Sequence, residues 1–173
     1  YNGSIAMGDT GVVNLDSMSF VNGVAYDLKV YTSMPNNAAD MRQVNDTLDL
    51  SGLRAALSGV YTVDASQATG GTNFNSISDM NYALNTFGVC GPTLINVSNG
   101  TYSDAISLNN VLGLSAANYL TIDGGDSSQT IVSQGAQFGS LILNGVTNVH
   151  VKNFTFEQTN TQGDGVIFSN GTR

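Results

Sequence analysis

Hydrophobic and polar residues alternate along this chain in short bursts, and the bursts change character near residue 57. Past that point, an alternating strand beginning at Pro92-Thr93-Leu94-Ile95-Asn96-Val97 ends at Asn99-Gly100. A second short strand reaches Ile106-Ser107-Leu108. After a loop comes a third, Asn118-Tyr119-Leu120-Thr121-Ile122-Asp123. The rhythm recurs at Thr130-Ile131-Val132, Ser140-Leu141-Ile142-Leu143-Asn144, Asn148-Val149-His150-Val151-Lys152-Asn153-Phe154-Thr155-Phe156 and Gly165-Val166-Ile167-Phe168-Ser169. Alternation over so few residues, punctuated by Gly and Asn with no helical period between, predicts short strands with one buried face. Strands of this kind in long succession predict the coils of a right-handed parallel β-helix. Ile95, Val97, Ile106, Leu108, Leu120, Ile122, Ile131, Leu141, Leu143, Val149, Val151, Phe154 and Phe156 are the predicted interior residues.

Residues 1–57 read differently. Thr10 to Leu15, running on towards Phe20, and Val24 to Thr32 are predicted strands joined by a turn at Val21-Asn22-Gly23. In the second, Val24, Tyr26, Leu28 and Val30 alternate with Ala25, Asp27, Lys29 and Tyr31. Met34-Pro35-Asn36-Asn37 ends that strand, because proline cannot donate to a ladder. Asp46 to Leu50 is a further short strand. Antiparallel strands this few, with one apolar face, cannot close a core alone. They predict the C-terminal part of an immunoglobulin-like sandwich whose other strands lie upstream of Tyr1. The expected organisation is thus all-β: a partial immunoglobulin-like domain over 1–57, then a helix-capped right-handed parallel β-helix over 58–173.

The cap is the one predicted helix, Ile77 to Phe87. Ser76 is its N-cap with Asp79 three residues on, Ile77, Met80, Leu84 and Phe87 form an apolar stripe, and Gly88 terminates it. A helix in this position would cover the exposed end of a stacked core and its unpaired strand edges.

Composition narrows the functional classes. Charged residues are only 10% of the 173, and polarity is carried by Asn, Ser, Thr and 20 Gly, which points to an extracellular surface. Thirteen acidic residues against five basic ones give a net charge of −8, which disfavours nucleic acid and anionic membranes and permits divalent cations. No apolar run is long enough to span a bilayer as a helix. The single cysteine, Cys90, cannot form an internal disulfide and is expected to be a small buried packing residue. The chain reads as part of a longer secreted protein.

Catalytic chemistry finds little support. The densest acidic cluster is Asp123-Gly124-Gly125-Asp126, where Asp123 and Asp126 are the candidates for a hard cation, calcium being the one such a set could hold; a solvated turn is the plainer reading. Lys152 and Glu157 could make a basic and acidic pair, for which a surface charge pair is again plainer. His150 alternates with Val149 and Val151 and is expected to face outward. Tyr102 and Tyr119 are the candidate sugar platforms, with partial burial as the plainer account. The expectation is therefore no enzyme, no catalytic residue and no obligatory cofactor.

Several segments together carry a resemblance: Gly59-Val60-Tyr61-Thr62-Val63, Asn73-Phe74-Asn75-Ser76-Ile77, Ala83-Leu84-Asn85-Thr86, Gly88-Val89-Cys90-Gly91-Pro92, Asn99-Gly100-Thr101-Tyr102, Gly113 to Asn118, and Thr121-Ile122. They resemble a module that opens a right-handed parallel β-helix in large surface proteins of Bacteroidota. Upstream, Tyr1 to Ile5, Gly8-Asp9-Thr10, Tyr31 to Asn36, Asp40 and Asn45-Asp46-Thr47-Leu48 resemble the tail of the immunoglobulin-like domain that precedes it. Thr93 and Ser103-Asp104-Ala105 depart from the module's usual residues. The resemblance implies export by type IX secretion, retention at the cell surface as an adhesin or filament, and no catalytic motif. It implies as partners the other domains of the same long chain, a polysaccharide or other surface polymer, or further copies. It also implies O-glycans, a glycoprotein, at Ser17 in Asp16-Ser17-Met18 and at Thr47 in Asp46-Thr47-Leu48. The competing expectation is a carbohydrate-active β-helix enzyme, a lyase or hydrolase, with its site beyond Arg173.

Overall fold

The computed structural model describes residues 11–12, 14, 18–21, 24–32, 47–135, 139–161 and 164–172. Apart from one helix, its regular structure is all β. Strand β1 (Tyr26–Tyr31) pairs antiparallel with β2 (Thr47–Leu53), and the register sets Tyr26 against Leu53, Leu28 against Leu50 and Val30 against Leu48. All three pairs share one face, which is therefore apolar. Lys29 and Asp49 oppose each other on the other face, 3.6 Å apart. Phe20 meets Tyr26 edge-on at 5.0 Å. The predicted strand at Thr10 to Leu15 falls largely outside the described residues; Gly11, Val12 and Asn14 lie in no strand. Asn22, Gly23, Met34 to Asn37 and Asp46 are also outside them. The Val24 N–H donates to the Val21 carbonyl at 3.2 Å.

From Leu57 every pairing between named strands is parallel. Strand β3 (Leu57–Val63) and the short β4 (Asn73–Phe74) precede helix α1 (Ile77–Phe87). Then come β5 (Val89–Val97), β6 (Gly100–Tyr102), β7 (Ile106–Asn109), β8 (Leu120–Asp123), β9 (Thr130–Gln134), β10 (Leu141–Asn144), β11 (Val149–Lys152), β12 (Thr155–Gln158) and β13 (Val166–Ser169). They form three parallel sheets ordered β11-β8-β5-β3-β4, β12-β9-β6 and β13-β10-β7. From β5 onward, each successive strand enters the next sheet and every third returns to the first, lying beside its predecessor.

The registers explain why this arrangement holds. Tyr61, Ile95, Ile122 and Val151 align across four strands of one sheet. Tyr102, Val132 and Phe156 align in the second, and Ile106, Leu141 and Val166, with Leu108, Leu143 and Phe168, in the third. Each column is hydrophobic and points inward, so every added strand extends apolar surface already laid down. Ile131 is a correction to the predicted interior: it sits between Thr101 and Thr155 on the outward side, and its neighbour Val132 is the residue fully buried. Thr130-Ile131-Val132 does not alternate in sequence, so the pleat alone decides which side chain turns in. Val149, Val151, Phe154 and Phe156 pack against the core but are only partly buried.

Corners follow the same logic. Asn109, Asn144 and Ser169 are in register, and the residues after them, Asn110, Gly145 and Asn170, all have positive φ (45°, 62° and 52°). This corner requires the left-handed region, which Asn and Gly enter most readily. A Cβ at position 145 would also run into the Asn110 side chain. Side-chain amides stack along the corner: Asn144 Nδ2 donates to Asn109 Oδ1 at 3.1 Å, and Ser169 Oγ donates to Asn144 Oδ1 at 3.0 Å.

Candidate functional site

The two ends of the stack differ, and the contrast begins with α1. Ser76 Oγ accepts the Asp79 N–H at 3.1 Å, capping the first turn as the sequence predicts, and Gly88 (φ 67°) closes the last. Ile77, Met80 and Leu84 have no exposed surface and Ala83 is buried with them, whereas Phe87 only packs partly against the core. The polar side of the helix has a function that sequence reasoning missed. Strand β7 is the edge of its sheet. There Asn81 donates from Nδ2 to the Ala105 carbonyl (2.8 Å) and accepts the Ser107 N–H (3.1 Å). Asn85 repeats this one turn later, donating to the Ser107 carbonyl (3.0 Å) and accepting the Asn109 N–H (2.9 Å). Residues four apart on a helix rise about 6 Å, close to the roughly 6.6 Å two-residue repeat of a strand. The two side-chain amides thus stand where the backbone amides of another parallel strand would stand.

The opposite end carries no such cover among the described residues. Along one column exposure runs from Leu108 at 0% through Leu143 at 5% to Phe168 at 65%. Along the next it runs from Ile106 at 0% through Leu141 at 6% to Val166 at 41%. In the second sheet, Phe156 on β12 stacks with Phe154 just before it at 5.6 Å, both partly buried.

The acidic turn is built of local hydrogen bonds. Asp123, at the end of β8, accepts the Gly125 N–H (2.9 Å) and Asn153 Nδ2 (2.8 Å) on Oδ1, and Lys152 Nζ approaches Oδ2 at 2.9 Å. The Lys152 hydrogen bond, reinforced by those from Gly125 and Asn153, holds the Asp123 carboxyl down at about 2. Asp126 Oδ1 accepts both the N–H and the hydroxyl of Ser128 at 2.8 Å, which lowers its pKa as well. The Gly124 carbonyl accepts the Thr130 hydroxyl at 2.6 Å. Asp123 and Asp126 each serve a separate turn, and no group of three metal-ligating side chains converges among the described residues. Lys152 pairs with Asp123, its register neighbour, and not with Glu157, which lies on a strand of another sheet.

The remaining candidates are placed as follows. His150 is exposed beside Thr121. Cys90 corrects its expectation: it is exposed, because β5 alternates strictly and position 90 falls on the outer face, where the thiol donates to the Ala56 carbonyl at 3.3 Å. Tyr102 is half-buried, its hydroxyl donating to the Ser98 carbonyl at 2.6 Å and its pKa raised by burial. Tyr119 is 45% exposed. Thr47 is exposed at the start of β2, and Ser17 lies outside the described residues.

A recess of about 310 Å³ lies beside α1, floored by Leu57, Tyr61, Phe74 and Ala83 and rimmed by Thr69, Asp79, Tyr82 and Phe87. Tyr61 and Phe74 stack at 5.6 Å beneath it. Nothing in the sequence flagged Tyr82, which stands on the helix between buried positions and reads as an ordinary surface residue.

No protein-family model, curated protein or solved structure matches this chain.

Proposed function

We propose that the chain is a structural and adhesive segment of a large bacterial cell-surface protein. In this reading, residues 58–173 are the capped first coils of a right-handed parallel β-helix, and residues 1–57 are the tail of an immunoglobulin-like domain. The observation that carries the reading is the in-register stacking of every third strand, with α1 over one end and apolar side chains bare at the other. A stack of this kind extends by adding coils, so its natural product is length and repeated surface. The apolar face of β1 and β2, with Leu48 53% and Leu50 41% exposed, supports a missing second sheet of a sandwich. The low content of charge and the Asn, Ser and Thr on outward positions suit an extracellular, type IX-exported Bacteroidota adhesin or filament, whose contacts are individually weak and strengthened by repetition. Antibody raised against residues 47–172 tests this. It should label the outer surface of intact producing cells and lose its epitope when those cells are shaved with protease. Label reached only after lysis would refute the reading.

A further inference from the structure

We infer that the recess beside α1 binds one ring of a neutral sugar. Its volume, about 310 Å³, falls at the lower end of small-ligand sites. Tyr82 forms one side. It is 65% exposed, yet its ring is held edge-on by Phe87 with centroids 5.9 Å apart and planes at 88°. That leaves a flat aromatic face turned to solvent, which the C–H face of a pyranose covers well. Asp79 stands one helical turn earlier, on the same face. One of its oxygens accepts the Thr69 hydroxyl, and the other has no protein donor among the described residues.

An apolar ligand would bury that oxygen without a partner, which is costly. A sugar hydroxyl beside the stacked ring supplies the missing donor. Charge selects within the sugars: the recess lining holds one acidic and one basic side chain, Asp79 and Arg54, so it presents no net positive charge to an anion, and the chain as a whole carries −8 and repels anions. Asn73 contributes only structure, because its amide is spent on Thr62 and on the carbonyls of Asp64, Gln67 and Ala68.

This inference deepens the adhesive part of the proposed function by naming a ligand class. A blank titration removes the sugar site, whereas absent surface labelling removes the broader reading. The experiment is a backbone-amide NMR titration of the chain with methyl glycosides of glucose, galactose, mannose, N-acetylglucosamine and fucose, with galacturonic acid as the anionic comparison. At least one neutral glycoside should give saturable shifts confined to residues 54–61, 69–74 and 79–87, and the acid none. Tyr82→Ala and Asp79→Asn should each weaken that binding roughly tenfold or more. The outward Tyr119→Ala should leave it unchanged, and the melting temperature of Tyr82→Ala should match the parent's. No saturable shift with any neutral glycoside, a preference for the acid, or undiminished binding by Tyr82→Ala overturns the inference.

Discussion

Truncating Asn81 to Ala isolates the strand-imitating cap. The change removes a donor from the Ala105 carbonyl and an acceptor from the Ser107 N–H, at 2.8 and 3.1 Å, both on half-buried residues. Two hydrogen bonds at about 1 kcal/mol net each, plus the penalty for poorly hydrated groups left behind, cost roughly 2–4 kcal/mol. Alanine is a better helix former than asparagine by about 0.5–0.7 kcal/mol, which works in the opposite direction. The expected loss is therefore about 1.5–3 kcal/mol. Asn85→Ala makes the same chemical change one turn on, but Asn109 is exposed and water can replace the lost acceptor there. The Ser107 carbonyl, on a half-buried residue, still loses its donor, so the expected loss is smaller but not nil, about 0.5–2 kcal/mol. Urea denaturation followed by circular dichroism measures both. Leu84→Ala, at a fully buried helix position, calibrates the scale with an expected cost of about 2–5 kcal/mol. The Ser107 amide should also lose hydrogen-exchange protection in Asn81→Ala and not in Leu84→Val. If Asn81→Ala is as stable as the parent, or no worse than Asn85→Ala, the side-chain amides do not stand in for a strand edge.

The Asp123 carboxyl is depressed to about 2 in the folded chain, so the stability it contributes is present above the ordinary carboxylate pKa and is lost as pH falls from near 4 through 2. Carboxyl NMR titration should place its midpoint near 2, and Lys152→Met should move that midpoint up towards the usual value; no movement would show that the Lys152 contact is not its main cause. Peptide mass analysis of protein purified from the native cell should find sugar on the peptides containing Ser17 and Thr47, and unmodified peptides would remove the glycosylation proposal. Incubation with pectins, alginates and other acidic polysaccharides in the presence of calcium should yield no new reducing ends or unsaturated products. Products lost on mutating Asp123 or Glu157 would favour the enzyme reading.

Where the sequence was informative, one residue type had one physical use. Ser76 and Gly88 bracket the helix because a side-chain acceptor and a left-handed terminator are needed at its two ends. Asn and Gly mark the corners because those corners sit at positive φ. What stayed hidden depends on partners far away in the chain. Ile131 and Val132 are equivalent as letters, and only the register with Tyr102 and Phe156 turns Val132 inward. Cys90 follows an apolar helix and reads as core, yet the pleat of β5 points it outward. Asn81 and Asn85 look like the solvated side of an amphipathic helix, and their role exists only because the β7 edge lies alongside. For the same reason the recess beside Tyr82 could not be read from sequence: its walls come from β3, the 69–74 segment and α1.

The central claim is that strands three apart in the chain lie parallel and in register. Nuclear Overhauser contacts between β5 and β8 in isotopically labelled protein test it most directly. The expected result is contact between Thr93 and Leu120, between Ile95 and Ile122, and between Asn96 and Asp123, continued from Ile122 to Val151. Contacts joining Thr93 to Asp123 and Asn96 to Leu120 would make the pair antiparallel and contradict the account.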